Sequence, residues 1–345
     1  MNEEQLEQLI PYRNGATGAY IDRIDNRDQI YDEQVFGAVQ VDFNQGYSTE
    51  SKLGHVFEIE NQGISLSCVG QAWQKYTEVL NYVEEKVEVN LSPKYVYSQI
   101  YLPQGGAMIR DGAKIVVNQG VSTEDLLPSY HKVILGDGTV VFNPMNEDEY
   151  RKSQDITEGA RIEAKIYQSK EYRSIVDNSI DTVAVAILQN WGCVMGAIGT
   201  NQGWRMPQGK VRPPLPGETI WGHAFYACGF GRDERGRFIE FINSWSKAWG
   251  VEGKGRLYED YFQSGNVFSP WTLVDKPNQL DDMIETIRIE NDERIWAKST
   301  KDNSIYHIGG FETYQEGLRN GWFKEVKTVL NLSEYVKKNS FGFIK

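Results

Sequence analysis

The run Gln62-Gly63-Ile64-Ser65-Leu66-Ser67-Cys68-Val69-Gly70-Gln71-Ala72-Trp73 decides how the rest of the chain is read. It holds one cysteine, Cys68, at the point where a helix should begin. Beyond it the apolar residues fall at Val69, Ala72, Trp73, Tyr76, Val79, Leu80 and Val83, the spacing of one buried helical face. Ser65 and Ser67, just upstream, are of the type that caps helix N-termini. A thiol at that position sits against unpaired backbone N–H groups and the positive end of the helix dipole, which favours the thiolate. Cys68 is therefore expected to titrate below a free thiol. Gln62 brings an amide N–H that could point at an oxyanion beside the sulfur. The stretch equally suits a buried structural cysteine, and alone it does not choose.

A second stretch chooses. Gly222-His223-Ala224-Phe225-Tyr226-Ala227-Cys228-Gly229-Phe230-Gly231 and Arg237-Phe238-Ile239-Glu240-Phe241-Ile242-Asn243-Ser244-Trp245 are β-rich runs joined by a short charged loop, the pattern of a hairpin. Centred on Asp233, that hairpin sets His223 directly opposite Asn243, with the two side chains on one face. Trp245 follows on the same face and could shield a His–Asn hydrogen bond from water.

Together Gln62, Cys68, His223 and Asn243 resemble the papain-like cysteine peptidases in order, spacing and context. The matching patterns are Q-G-x-x-x-x-C on an N-terminal helix, G-H-A-x-x-x-x-G-[FY]-G, and N-S-W-x-x-x-W-G. The resemblance runs from about Phe36 to Asp275. It implies an α+β, two-lobe fold, a helical lobe plus an antiparallel β-barrel lobe. It also implies a cysteine endopeptidase working through a thioester acyl-enzyme. Cys68 would be the nucleophile and His223 the acid and base. Asn243 would orient the imidazole, and Gln62 would donate to the oxyanion. Gly105-Gly106-Ala107 resembles the family's paired glycine ahead of a helix, which implies a substrate strand bonded to the Gly106 backbone. By the same resemblance Ala197 and Ala224, with Ala107 and Met108, would line an apolar pocket for the substrate, and Trp245 would lie beside it. Two departures stand out. Ser65 replaces the family's disulfide cysteine and Val69 replaces a tryptophan, as in a disulfide-poor bacterial or phage branch. Two other functions fit the same residues: an amidase or transglutaminase-like acyltransferase on cell-wall or protein amides, and a non-catalytic binding module on a peptidase fold. The second of these usually accompanies a lost Cys, His or Asn, and none is lost here.

Composition sets the frame. The 345 residues carry 36 Lys plus Arg against 48 Asp plus Glu, a net charge of −12. That argues against nucleic acid or an anionic membrane as main partner; the resemblance implies a peptide or protein substrate. Cys68, Cys193 and Cys228 are odd in number and widely spaced, which fits a reducing compartment; Cys193 and Cys228 read as core residues. The N-terminus shows no signal-peptide pattern, so a cytoplasmic protein is expected, virion-associated if phage-encoded. No apolar run has membrane-spanning length. No metal-ligand cluster is visible, and no cofactor is expected. Residues 1–35 read as an N-terminal extension strapped to the outside, and residues 36–276 as the peptidase domain. After a Lys276-Pro277-Asn278 linker, residues 280–345 read as a small β-β-α-β module. Its helix would carry Phe311, Tyr314 and Leu318, and the module would serve to dock a protein partner.

Overall fold

The periodicity that starts at Cys68 is realised as an 18-residue helix, α1 (Cys68–Glu85). Val69, Ala72, Trp73, Tyr76, Val79 and Leu80 are all buried, as a single apolar face requires. The helix stops at Lys86, whose left-handed backbone turns its N–H onto the Tyr82 carbonyl. The computed structural model describes residues 18–23, 25, 27–31 and 41–274, and the backbone of five strands between residues 284 and 337.

Around α1 the helical lobe assembles from short elements. Strand β1 (Ala19–Tyr20) is followed by β2 (Tyr47–Ser48), α1, α2 (Pro93–Tyr97), β3 (Ala107–Met108) and α3 (Ile109–Asn118). Gly112 of α3 lets the two long helices touch: the Trp73 ring lies 2.2 Å from where a Cβ would stand, and its Nε1 donates to the Ile109 carbonyl at 2.8 Å. A two-stranded hairpin follows, β4 (Tyr130–Ile134) and β5 (Val140–Pro144), then the short helix α4 (Glu147–Tyr150).

The second lobe is a sheet. Its strands are β6 (Tyr172–Ser174), β7 (Cys193–Thr200), β8 (Lys210–Val211), β9 (Ile220–Asp233), β10 (Gly236–Ile242), β11 (Lys254–Tyr258) and β12 (Val267–Leu273), with helix α5 (Ile180–Asn190) ahead of β7. Their order is β6-β12-β7-β9-β10-β11-β8, and β2 adds to β9. The expected barrel is thus an open sheet among the described residues. The end strands β6 and β8, of three and two residues, are too short to carry the ladder round to each other. Strand β6 is instead covered by the N-terminal segment: Ser174 donates to Gln29 O and Tyr31 donates to Ser174 O, each at 2.8 Å.

Alternation along β9 and its neighbour β7 divides the interior in two. Val194, Ala224, Tyr226 and Cys228 join the core around α1. Cys193, Met195, Ala197, Phe225 and Ala227 join a second, aromatic-rich core. The chain divides into two compact units, residues 1–275 and 276–345. In the second unit β13 (Ile284–Ile289), β14 (Ile295–Ser299), β15 (Ser304–His307), β16 (Lys327–Val329) and β17 (Val336–Lys337) form one sheet in the order β16-β13-β14-β15-β17. The expected helix at Phe311, Tyr314 and Leu318 and the 276–278 linker lie outside the described residues. No helix among those described is long and apolar enough to cross a membrane.

Candidate active site

Cys68 is the first residue of α1 and is fully buried. Ser67 occupies the N-cap position, yet its side chain does not cap the helix. Ser65 Oγ donates to Gln62 O at 2.7 Å, and Ser67 Oγ pairs with Ser65 Oγ at 2.8 Å while accepting from Gln71 Nε2 at 3.3 Å. The expected serine cap is therefore diverted into the loop. The N–H groups of the first turn keep their positive potential at the sulfur.

Strands β9 and β10 turn at Glu234-Arg235, not at Asp233, and Asp233 pairs with Gly236. The register expected from the sequence is therefore displaced. A bulge repairs the parity: Glu240 faces Gly229 and Phe241 faces Ala227, so Cys228 is the extra residue. Without it Asn243 would project to the opposite face of the sheet from His223. With it they meet, and His223 Nε2 and Asn243 Oδ1 are 2.8 Å apart. Ser244 then links this pair to the cysteine loop. Its N–H donates to Asn243 Oδ1 at 2.8 Å and its Oγ donates to Gln62 Oε1 at 2.6 Å. Gln62 N–H returns a bond to Ser244 O at 2.9 Å. One N–H of the Gln62 amide is committed to Ser65 O at 2.8 Å.

Aromatic rings enclose the imidazole. Trp245 packs on it at 4.6 Å between centroids, and Trp204 meets it edge-on at 5.5 Å. Trp245 is 1% exposed, so it shields the His–Asn pair and is not part of a substrate-facing surface. Burial governs the electrostatics. It pushes the Cys68 thiol up to about 12, against the backbone N–H of Ala224 and of Val69; Glu147 adds to the rise. It pushes the His223 imidazole down to about 4, opposed by the Asn243 hydrogen bond. The expected low-titrating thiol is thus reversed in this state, because desolvation outweighs the helix end. Among the described residues no hydrogen bond joins Sγ to the imidazole.

The reason is in the cleft, where residues 18–20 lie. Gly18 packs on the sulfur; a Cβ added to it would stand 2.6 Å from Sγ. Gly18 N–H donates to Gly222 O at 3.1 Å, and Ala107 N–H donates to Gly18 O at 3.0 Å. Beyond it Ala19 and Tyr20 pair parallel with Ala107 and Met108. Residues 18–20 of the N-terminal extension therefore lie between the two lobes rather than on the outside. The strand edge it uses is Ala107–Met108. Gly106, expected to receive a substrate strand, is occupied internally: its N–H donates to Tyr97 Oη at 2.9 Å and its carbonyl accepts from Leu102 at 2.8 Å. Gly105 takes φ +93° with the Leu66 side chain 2.4 Å from its Cβ position, so only glycine fits. Ala224 shares the core of Cys68 and Ala107. Ala197 does not: it stands opposite His223 on the other face of the sheet, so Ala197 and Ala224 cannot line one pocket.

Three features of the site carry no motif in the sequence. Trp204, in Asn201-Gln202-Gly203-Trp204, centres the aromatic enclosure. Glu147 reaches the cysteine loop from α4. Gly18 reaches the sulfur. Only Gly18 has a local signal, a residue without a side chain where backbone must approach closely.

The model of the papain family cysteine proteases matches residues 43–267. A comparison with curated protein sequences gives no match. Among solved structures, xylellain, a cysteine protease from Xylella fastidiosa, superposes with a TM-score of 0.59 at 22% identity, covering 76% of this chain and 97% of that one. Procathepsin B S9 from Trypanosoma congolense gives 0.57 at 11% identity, with 75% and 87% covered. Procathepsin L 3 from Tenebrio molitor larval midgut gives 0.55 at 14% identity, with 79% of each chain covered. At these identities the structures speak for the fold.

Proposed function

Because the chain belongs to the papain family of cysteine proteases, and is a cysteine-type peptidase on that ground, we propose that it cleaves peptide bonds through Cys68, His223, Asn243 and Gln62, and that the form described is latent. One observation carries the assignment. An unbroken set of hydrogen bonds runs from His223 through Asn243 and Ser244 to Gln62, six residues before the sulfur. It ties the imidazole and the amide donor into one rigid unit beside the uncapped start of α1.

In the open cleft the Cys68 thiolate attacks a peptide carbonyl carbon. The oxygen takes the negative charge, facing the second amide N–H of Gln62 and the Cys68 backbone N–H. With Nε2 held by Asn243, Nδ1 is the nitrogen left to move protons. It gives one to the leaving amine as the C–N bond breaks and the thioester forms. It then takes one from water, whose oxygen bonds to the carbonyl carbon and frees the sulfur. Asn243 holds the ring to one orientation throughout.

Latency follows from Gly18. Its carbonyl accepts the Ala107 N–H, so the segment lies along the strand edge that a substrate would use. Displacing it exposes the thiol and relieves the desolvation that keeps thiol and imidazole neutral. The test is an epoxysuccinyl peptide added to the full chain and to Asp22→Ala, which loosens the segment. Mass analysis should place the label on Cys68, faster in the variant, and a peptide library should be hydrolysed. Labelling elsewhere would overturn the assignment. Transfer to an added amine in preference to water would favour an acyltransferase, and no turnover of any amide would favour a binding module.

A further inference from the structure

The cysteine loop and the strand edge Ala107–Met108 must hold a fixed spacing if a peptide is to lie on one and be attacked from the other. Ser65, at the family's disulfide position, cannot supply that link, since its hydroxyl bonds only within its own loop. A carboxylate from another part of the chain does. Glu147 Oε2 accepts the Leu66 N–H at 2.7 Å, two residues before Cys68. Glu147 Oε1 accepts the Tyr97 hydroxyl at 2.6 Å and Arg151 Nε at 2.9 Å. Tyr97 Oη in turn accepts the Gly106 N–H at 2.9 Å, next to the strand edge.

We propose that Glu147 is a positioning residue for the peptidase reaction: its carboxylate stands in place of a covalent staple, joining the loop that carries Cys68 to the edge on which a substrate strand lies. Geometry favours a deliberate junction. Tyr97 is fully buried, and its hydroxyl both donates to the carboxylate and receives from the backbone. The carboxylate meets three donors from three segments, which a charge-assisted acceptor holds firmly. Glu147 opens α4, where an Asn146–Glu149 capping box fixes the helix start. Leu66 packs on Gly105 from the other side. The negative charge also acts on the thiol, in the direction opposite to the helix end. Glu147 therefore does two separable things: it places Cys68, and it makes the thiolate harder to form.

That opposition gives the test, which rests on Cys68 being the nucleophile. Inactivation of the full chain by an epoxysuccinyl peptide is measured for wild type, Glu147→Gln, Glu147→Asp and Tyr97→Phe. Each is compared in the Asp22→Ala background as well, because the N-terminal segment pairs with the same strand edge and its opening would otherwise enter the ratios. Glu147→Gln should lower the maximal inactivation rate by about 10²-fold, the cost of a small misplacement of a reacting group. Its pH profile should at the same time move to lower pH because a negative charge is gone. A loss of packing alone would not shift the profile that way. Glu147→Asp should restore the wild-type profile and part of the rate. Tyr97→Phe keeps the charge, so it should weaken peptide binding and leave the profile in place; it also serves if Glu147→Gln fails to fold. A Glu147→Gln chain matching wild type in rate and profile overturns the proposal. If neither wild type nor Asp22→Ala labels, the peptidase reading fails, and amide hydrogen exchange decides the junction. Faster exchange at both Leu66 and Gly106 in Glu147→Gln supports it, and unchanged exchange at Gly106 overturns it.

Discussion

Two cores meet across strand β9, and they are made of different chemistry. On one side Trp204, Trp221, Trp245, Trp249, Phe225 and Phe241 close around His223 with scarcely a charge among them. On the other, under α1, charges are taken inside. Lys75 pairs with Glu78 at 2.5 Å and Glu60 at 3.5 Å, Tyr130 donates to Glu60 at 2.8 Å, and Ser129 N–H donates to Glu124 at 2.8 Å. An aromatic wall holds the imidazole through shape and exclusion of water, with no ion to titrate. The charged core answers to pH. What titrates beside the aromatic rings is the imidazole itself, which burial keeps neutral down to about 4.

The comparison breaks if the aromatic wall is dispensable. Trp204→Ala removes a fully buried ring that touches His223, Trp221, Trp245 and Trp249 and loses the bond from its Nε1 to Tyr261 Oη. It should cost about 3–5 kcal/mol of stability at pH 8 in chemical denaturation, and less at pH 5, where opening the wall lets the desolvated His223 take up a proton. Trp204→Phe should recover part of it. A cost equal at the two pH values would show that the wall does not desolvate the imidazole.

The seam between the cores is tested next. Gln62→Ala removes the proposed oxyanion donor and the partner of Ser244. Turnover should fall by about 10²–10³ with little change in peptide binding. Asn243→Ala should cost less, since that residue orients and does not react. A larger loss for Asn243→Ala than for Cys68→Ala would contradict the assigned roles.

The seam also shows what the sequence could and could not disclose. Cys68, Gln62, His223 and Asn243 were legible because each sits in a short local pattern. The meeting of His223 and Asn243 was legible only in outline. A two-residue turn and the bulge at Cys228 fix the register, and neither leaves a composition signal. Ala197 was misplaced for the same reason, since a one-residue difference in strand position exchanges the faces. Gly106 looked available because paired glycines suit close approach, yet Tyr97, from a distant helix, already takes its N–H. Glu147 and Trp204 act across long sequence separations, which no window of residues reports; Gly18 carries a local signal but not its partner. The hairpin β4–β5 is a different case: Asp137-Gly138 between two β-rich runs is a turn signal plain in the sequence.

The charged core should give itself away by titration. Burial pushes the half-buried Glu124 carboxyl up to about 8, with Glu60 and Glu78 adding to the rise and its Ser129 bonds opposing it. A carboxyl raised on folding binds its proton more tightly in the native state. Its contribution is therefore full below the unfolded value, near 4.3, and is lost as pH rises through about 8. Thermal unfolding should show stability falling by on the order of 2 kcal/mol between pH 5 and 8.5. Glu124→Gln should flatten that slope. An unchanged slope would move the sensitivity to the Lys75–Glu78 pair.

The smallest effect lies at the N-terminal segment, which crosses between the two regions. Asp22 anchors it: Trp271 Nε1 donates to its carboxylate at 2.7 Å, Arg110 N–H at 3.1 Å, and Asp22 N–H donates to Ser269 Oγ at 2.9 Å. Burial raises the Asp22 carboxyl above its usual range in spite of these bonds. Closing the segment therefore favours proton uptake, so through Asp22 the closed form is strongest in acid and weakens as pH rises. Asp25, held low chiefly by Arg27 within the segment, also reaches Arg110 at 3.9 Å. Asp28 and Arg110 form a further tie across, at 2.8 Å, beside the backbone bonds of Gln29 and Tyr31 to Ser174. Asp22→Ala should speed labelling of Cys68 about tenfold, the equivalent of about 1.4 kcal/mol for lost hydrogen bonds. Asp22→Asn keeps most of the bonds without the charge. The ratio of wild-type to Asp22→Asn labelling should therefore grow as pH rises from 4 to 7, with the thiol's own titration cancelling. A ratio that falls over that range would mean acid opens the segment, and the anchor would then have to be the Asp28–Arg110 pair.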